Sequence, residues 1–381
     1  MSGFKANGTD LDDIFSYEAP DATTSSLYIT QSGTRLNYRT KGSRHNITSP
    51  FTTGFKLQNT DFSDLFEQEI IHSDTTGTYN TDYFLHPLTN GCLIRIVNSM
   101  TLKLKIGIDY HKSYIVAGGG GGGGSRFSNA GGGGGGGGVE MYNRLNVTAP
   151  INKFEVTIGT GGSGSDENDT NSANGGDTSF KAYTTADLIE DQTTVKGGGG
   201  GGSGKENGKN GANGGGGGSK STGSHAPGVT TYESGAKVNF SIYARYSGFY
   251  GQHSSSDNGA GGGGGGASTG GTGTFSPNGG APKQITISPY TFYLGAGGGG
   301  GGAGGFGGGT AGTGGANGAP GTNDDAPSNA PVGVNSSDAN KYYYGGGGGG
   351  GQNQGLYGNG GSSGAQGCVL IEVYNSNVTF I

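Results

Sequence analysis

The chain has 381 residues, of which 91 are glycine and none is tryptophan; only 29% are hydrophobic, and the formal net charge is −6. So few apolar side chains cannot bury a core along the whole length, so either much of the chain is unordered or something other than side-chain burial orders it. The acidic balance and the lack of a basic patch set nucleic acid aside as an expected partner, and no apolar stretch approaches the roughly 18 residues of a membrane span, so no membrane insertion is expected.

Residues 1–90 are read as an N-terminal anchoring and assembly region. The first fifteen residues, MSGFKANGTDLDDIF, show neither a charged n-region nor an apolar h-region, so synthesis without a signal peptide is expected. Residues 3–15, GFKANGTDLDDIF, return as residues 54–66, GFKLQNTDFSDLF. Such self-similarity predicts one local structure built twice. The expected form is a short strand at Phe4, a turn at Asn7-Gly8 or Asn59-Thr60, then a helical turn capped by Thr9 or Asp10. The apolar positions Phe4, Leu11, Ile14 and Phe15, with Phe55, Phe62, Leu65 and Phe66 in the second copy, are too few for a domain. They are the candidate assembly and anchoring residues. Segments 26–30 (SLYIT) and 34–38 (TRLNY) flank a glycine as a hairpin does.

Residues 91–381 form the glycine-rich region. Strands are expected at 92–97 (CLIRIV) and 101–108 (TLKLKIGI), where apolar and polar residues alternate. Pure glycine runs then occupy 118–124, 131–138, 197–202, 214–218, 261–266, 297–302 and 345–351. Between them lie strand-like segments at 154–158, 238–243, 284–288, 291–294 and 369–373.

Glycine-rich chain is usually flexible linker, and ordering glycine costs more backbone entropy than ordering any other residue. Linkers also carry Ser, Pro and charge, whereas these runs are nearly pure and of similar length. The second reading is polyglycine II: extended threefold helices, rising about 3.1 Å per residue, without internal hydrogen bonds. Their N–H and C=O groups point outward, and with no side chains in the way several helices satisfy one another's backbone. The fold expected is mostly β and irregular, with short strands clamping a polyglycine II bundle as a glycine-rich sandwich beside a smaller β-rich N-terminal region. The clamp is the pair of similar segments GCLIRIV (91–97) and GCVLIEV (367–373), with strands at 92–97 and 369–373. Their pairing puts Arg95 near Glu372 and Cys92 near Cys368, as a disulfide or as two buried thiols.

Residues suited to chemistry are scarce. The stretch GGGGSGKE at 199–206 puts Glu206 where a phosphate loop needs a hydroxyl. The six histidines lack metal-ligand spacing, and no nucleophile elbow occurs. No enzyme, cofactor or metal site is expected. Tyrosines cluster between the runs, at Tyr243, Tyr246 and Tyr250 with Phe249, and at Tyr342, Tyr343 and Tyr344. Such rings suit recognition of sugars or protein surfaces; they equally suit covering the glycine.

In KSYIVAGGGGGGG, FEVTIGTGGSG, NGGDTSF and GGSSGAQGCVLIEVY the order of strands and runs resembles the glycine-rich domains of phage tail-fibre adhesins, over about residues 95–375. The GFK-containing repeat is similar to short motifs in glycine-rich structural proteins of large DNA viruses. The resemblance implies a structural virion surface protein, capsid-associated, spike or fibre subunit, made without a signal peptide and released with the particle. Its implied partners are other virion proteins, further copies of itself in a trimer or larger array, and a host cell-surface glycan or protein bound by the loops. The adhesins are shorter and lack a duplicated N-terminal region. Alternatives are a subunit of a self-assembling extracellular filament or coat, and an ice-binding protein. The last needs flat Thr or Ala arrays, which the sequence does not show.

Overall fold

The fold is seen in a computed structural model. It describes residues 83–88, 91–108, 111–125, 130–144, 150–166, 172–184, 186–204, 206–220, 263–271, 278–302, 329–330, 333–335, 338–351 and 357–374. Short strands are also described at 5–6, 9–10, 16–18, 26–31, 34–39, 56–57, 60–61, 223–224, 237–238, 242–246 and 353–354. Among the described residues all regular structure is strand and no helix occurs.

Three sheets organise the glycine-rich region. The central one has six antiparallel strands, in the order Ile242–Tyr246, Val139–Arg144, His111–Val116, Cys368–Tyr374, Gly91–Ile96 and Tyr83–Leu88. A five-stranded antiparallel sheet follows the order Met100–Ile108, Ile151–Thr157, Thr178–Thr184, Ile189–Val195 and Lys237–Val238. A four-stranded sheet holds Lys283–Ile287, Tyr290–Leu294, Asp338–Tyr344 and Gly333–Asn335, the middle two parallel.

The central sheet is buried on both faces, which explains why its strands Gly91–Ile96 and Cys368–Tyr374 read as almost unbroken apolar runs. One face (Ile94, Ile96, Ile115, Val369, Ile371) packs on Leu102, Phe154, Val156 and Phe180 of the five-stranded sheet. The other (Leu93, Tyr114, Val116, Leu370) packs on Ile285, Phe292, Leu294, Tyr342 and Tyr344 of the four-stranded sheet. At one end of the sheets, strands run out of the core into glycine. Val116 leads into 117–125, run 131–138 leads into Val139, and segment 359–367 leads into Cys368. The other two sheets extend likewise through 158–166, 172–177, 196–204, 295–302 and 345–351. At two of these junctions, Gly295 and Gly345, φ is +67° and +68°, a backbone conformation open to glycine at little cost.

The clamp strands pair as expected, with Val369 opposite Ile96 and Tyr374 opposite Gly91. That register corrects the cysteine expectation. Cys92 faces Val373 and Cys368 faces Val116 on the other neighbour, so the two cysteines stand at opposite ends of the strand pair. Five residues of strand, roughly 17 Å, is far beyond disulfide reach, and Cys368 is a free buried thiol. Arg95 lies opposite Leu370, two pairs away from Glu372, which faces Leu93. Segment 238–243 is divided: Lys237–Val238 joins the five-stranded sheet and Ile242–Tyr246 the central one.

The duplicated motif forms the same small hairpin twice. Lys5–Ala6 pairs with Thr9–Asp10, and Lys56–Leu57 with Thr60–Asp61. Thr9 and Asp10 are thus strand residues rather than helix caps; the expected turns at Asn7-Gly8 and Asn59-Thr60 include residues outside the described ones. The candidate assembly residues Phe4, Leu11, Ile14, Phe15, Phe55, Phe62, Leu65 and Phe66 lie outside the described residues. The 26–31 and 34–39 hairpin forms as expected.

Candidate functional site

The segment 117–125 is the best view of what glycine does here. Its N–H groups turn through three partners in rotation. Gly118 and Gly121 donate to the carbonyls of Gly176 and Ala173, Gly119 and Gly122 to Ala365 and Ser362, and Gly120 and Gly123 to Gly135 and Gly132. Its carbonyls rotate in the same way. Those of Gly118, Gly121 and Gly124 accept from Gly198, Gly201 and Gly204; those of Gly119 and Gly122 from Gly162 and Ser165; those of Gly120 and Gly123 from Gly348 and Gly351. These backbone bonds measure 2.8–3.1 Å. The last glycine donor, Gly124, is taken by the Ser165 hydroxyl. The segment therefore has six neighbours, three antiparallel and three parallel, and repeats every three residues.

Close approach makes glycine obligatory. A Cβ on Gly119 or Gly122 would lie 2.1 or 2.0 Å from the carbonyl oxygen of Gly346 or Gly349. On Gly120 or Gly123 it would lie 2.2 or 1.9 Å from that of Gly199 or Gly202. Backbone cannot yield as a flexible side-chain tip can, so any Cβ forces chains apart. Run 131–138 is surrounded in the same manner, donating to Gly351, Gly348 and Gly345 at every third residue and to Gly202, Gly199 and Lys196 at the next.

Several polar residues interrupt the glycine, and their side chains bond the glycine backbone. Asn174 Oδ1 accepts from Gly200 and Asp177 Oδ1 from Gly197, two acceptors three residues apart matching two donors three residues apart. The buried Asn213 Nδ2 donates to Gly136 and Gly137 carbonyls, and Ser362 Oγ accepts from Gly349. Thr178 Oγ1 bridges Gly159 N–H and the Val116 carbonyl. Sequence motifs did not single out these residues. Their signal is present in the three-residue spacing of Asn and Asp in NGGD.

The tyrosine candidates separate. Tyr342 and Tyr344 are 4% and 1% exposed, so they are core residues closed to a ligand, which corrects the expectation for those two. Strand alternation turns both rings toward the central sheet, where the Arg95 guanidinium lies 4.5 Å from the Tyr342 ring centre and donates to the Tyr344 hydroxyl. Burial outweighs the nearby Arg95 charge and pushes the Tyr344 phenol up to about 12. Burial likewise pushes the Cys368 thiol up, Arg95 again opposing, so it is a poor nucleophile. Tyr343 points the other way, partly exposed, with its ring 5.5 Å from that of Tyr293. Tyr243 and Tyr246 lie on the edge strand Ile242–Tyr246; Phe249 and Tyr250 lie outside the described residues.

A second buried polar cluster sits on the same side of the central sheet as Arg95. Glu372 accepts from the Tyr114 hydroxyl at 2.6 Å and faces Lys112 Nζ at 3.7 Å. Among the described residues no group of three or more His, Cys, Asp or Glu is placed to hold a metal. The ends of the glycine segments farthest from the sheets come together: Ser125 donates to Asn359, Gly204 to Gly124 and Gly131 to Gly351. Ser125, Asp166 and Gly351 stand together at this one end.

Residues 97–374 match the model of a family described as a glycine-rich domain. No curated protein matches the chain.

Proposed function

The chain belongs to the glycine-rich domain family, and from that premise we propose that it is a structural virion surface protein whose glycine segments form a polyglycine II bundle. The observation that carries the bundle is the rotation of partners along 117–125, since a repeat of three with all hydrogen bonds leaving the chain is the signature of that helix. The three sheets serve as its clamp. Each holds its strands in order while they still carry side chains, and passes them on in that order as glycine.

A rigid body of this kind suits projection from a particle. In this reading the loops of the glycine-rich domain meet a host glycan or protein, and the N-terminal region meets other virion proteins. What supports the viral reading is the strand-and-run order that resembles tail-fibre adhesins. The role is structural and recognitional rather than catalytic, and the working form is a symmetric trimer or larger array, as fibre and spike subunits form closed symmetric assemblies.

Immunogold electron microscopy of particles from the source organism, with antibody against this chain, tests the assignment. Label on isometric or tailed particles is expected. Label on filaments, or on cell-derived coat, overturns the viral reading. Sedimentation of the purified chain tests the assembly, and a monomer at high concentration contradicts it.

A further inference from the structure

We infer that the hairpin strand Tyr83–Leu88 makes the glycine-rich module a shear-loaded mechanical clamp against tension along the chain. The clamp depends on sheet register alone and not on what the protein is attached to. The N- and C-proximal strands of the module, Gly91–Ile96 and Cys368–Tyr374, lie side by side inside the central sheet, with Tyr83–Leu88 on the edge beyond Gly91–Ile96. Gly91 is opposite Tyr374, so the points where these two strands begin and end are at the same end of the sheet, remote from the glycine. Tension applied to Gly91 and Tyr374 would open the pair from that end, one hydrogen bond after another.

The chain does not enter at Gly91. It enters at Tyr83, which pairs with Ile96 at the opposite, glycine-side end, and runs down to Leu88 opposite Gly91 before turning back. Tension between Tyr83 and Tyr374 therefore runs along the strands and across two six-pair ladders, Tyr83–Leu88 with Gly91–Ile96 and Gly91–Ile96 with Cys368–Tyr374. Rupture in this direction must break the bonds of a ladder together. Rupture of the inner ladder also slides Ile94 and Ile96 past Val369 and Ile371 in one core and Leu93 past Leu370 in the other. One added strand thus converts peeling into shear.

Force spectroscopy on the full chain tests this. The C-terminus is held, and the second linker is attached through a bio-orthogonal side chain at Asp82 or at Asn90, leaving Cys92 and Cys368 untouched. Both proteins are first shown to have the same thermal midpoint. At equal loading rate, attachment at Asp82 is expected to need a severalfold higher force for the first rupture than attachment at Asn90. Forced unfolding reports the barrier rather than the equilibrium stability, so equal midpoints with unequal forces are the expected pattern. Equal forces, or a higher force from Asn90, overturn the inference.

Discussion

At the scale of single residues, the chain separates two jobs that side chains usually share. In the glycine array the backbone makes most of the contacts, and polar side chains such as those of Asn174, Asp177 and Ser362 supply acceptors to glycine N–H groups. Gly122→Ala places a methyl 2.0 Å from the Gly349 carbonyl oxygen. The cost expected is about 3 kcal/mol, the upper range for overpacking a core, against almost none for Ser163→Ala on the exposed outer row. Paired urea titrations read the difference. Ser362→Ala is the complementary case, because it leaves the buried Gly349 N–H without its 2.7 Å acceptor. An orphaned buried donor costs about 1–3 kcal/mol, and the same titration should show a lowered midpoint with an unchanged slope. The tyrosine run teaches a related lesson. Three consecutive tyrosines look like one binding feature, yet strand alternation buries Tyr342 and Tyr344 and turns Tyr343 to the other face.

At the scale of elements, what was legible depended on whether a strand's inner face was apolar. The clamp strands could be paired from their likeness, GCLIRIV with GCVLIEV. Ile189–Val195 reads IEDQTTV and carries no strand signal, because its inward residues are Asp191, Thr193 and Val195. Thr193 is met by Glu140 and the Tyr142 hydroxyl, and Asp191 lies 3.6 Å from His111, so polar partners across the sheets replace the usual apolar pattern. Tyr83–Leu88 was masked by His86 and Pro87, the latter tolerable because the strand is at an edge. The parallel pairing of Tyr290–Leu294 with Asp338–Tyr344 joins segments separated by a long glycine-rich stretch, and no local signal announces it.

The interface of the central and four-stranded sheets also sets an alkaline limit. Tyr344 has its folded pKa raised from 10.0 to about 12. A raised pKa means that the folded state holds its proton more tightly than the unfolded one. The stability this contributes is complete below pH 10 and is lost as pH rises through about 12. Cys368 acts in the same sense from a lower starting point of 9.0, its thiol also being raised by burial. Thermal midpoints are expected to hold below about pH 9 and fall above it, and Tyr344→Phe with Cys368→Ala to flatten that fall. A midpoint that rises with pH in this range contradicts the assignment.

At the scale of the whole molecule, three layers of sheet continue as layers of glycine. Side chains hold packed sheets about 10 Å apart. Where glycine begins, that separation is no longer enforced and the layers close until backbone bonds backbone between them, as Gly198 to Gly118 and Gly348 to Gly120 do. The purity and similar length of the runs made close packing legible from the sequence. The order of neighbours was not, because identical residues carry no register; the flanking strands supply it. The array is cooperative, since each hydrogen bond nets only about 1 kcal/mol and each segment serves several others.

Amide hydrogen exchange read by mass spectrometry, on peptides spanning 118–124, 131–138 and 345–351, tests this most directly. If these glycines are locked to one another, their amides exchange only with global opening, as slowly as those of the central strands Cys368–Tyr374 and His111–Val116. Exchange of the glycine amides at the rate of an unstructured peptide, while those strands stay protected, contradicts the account.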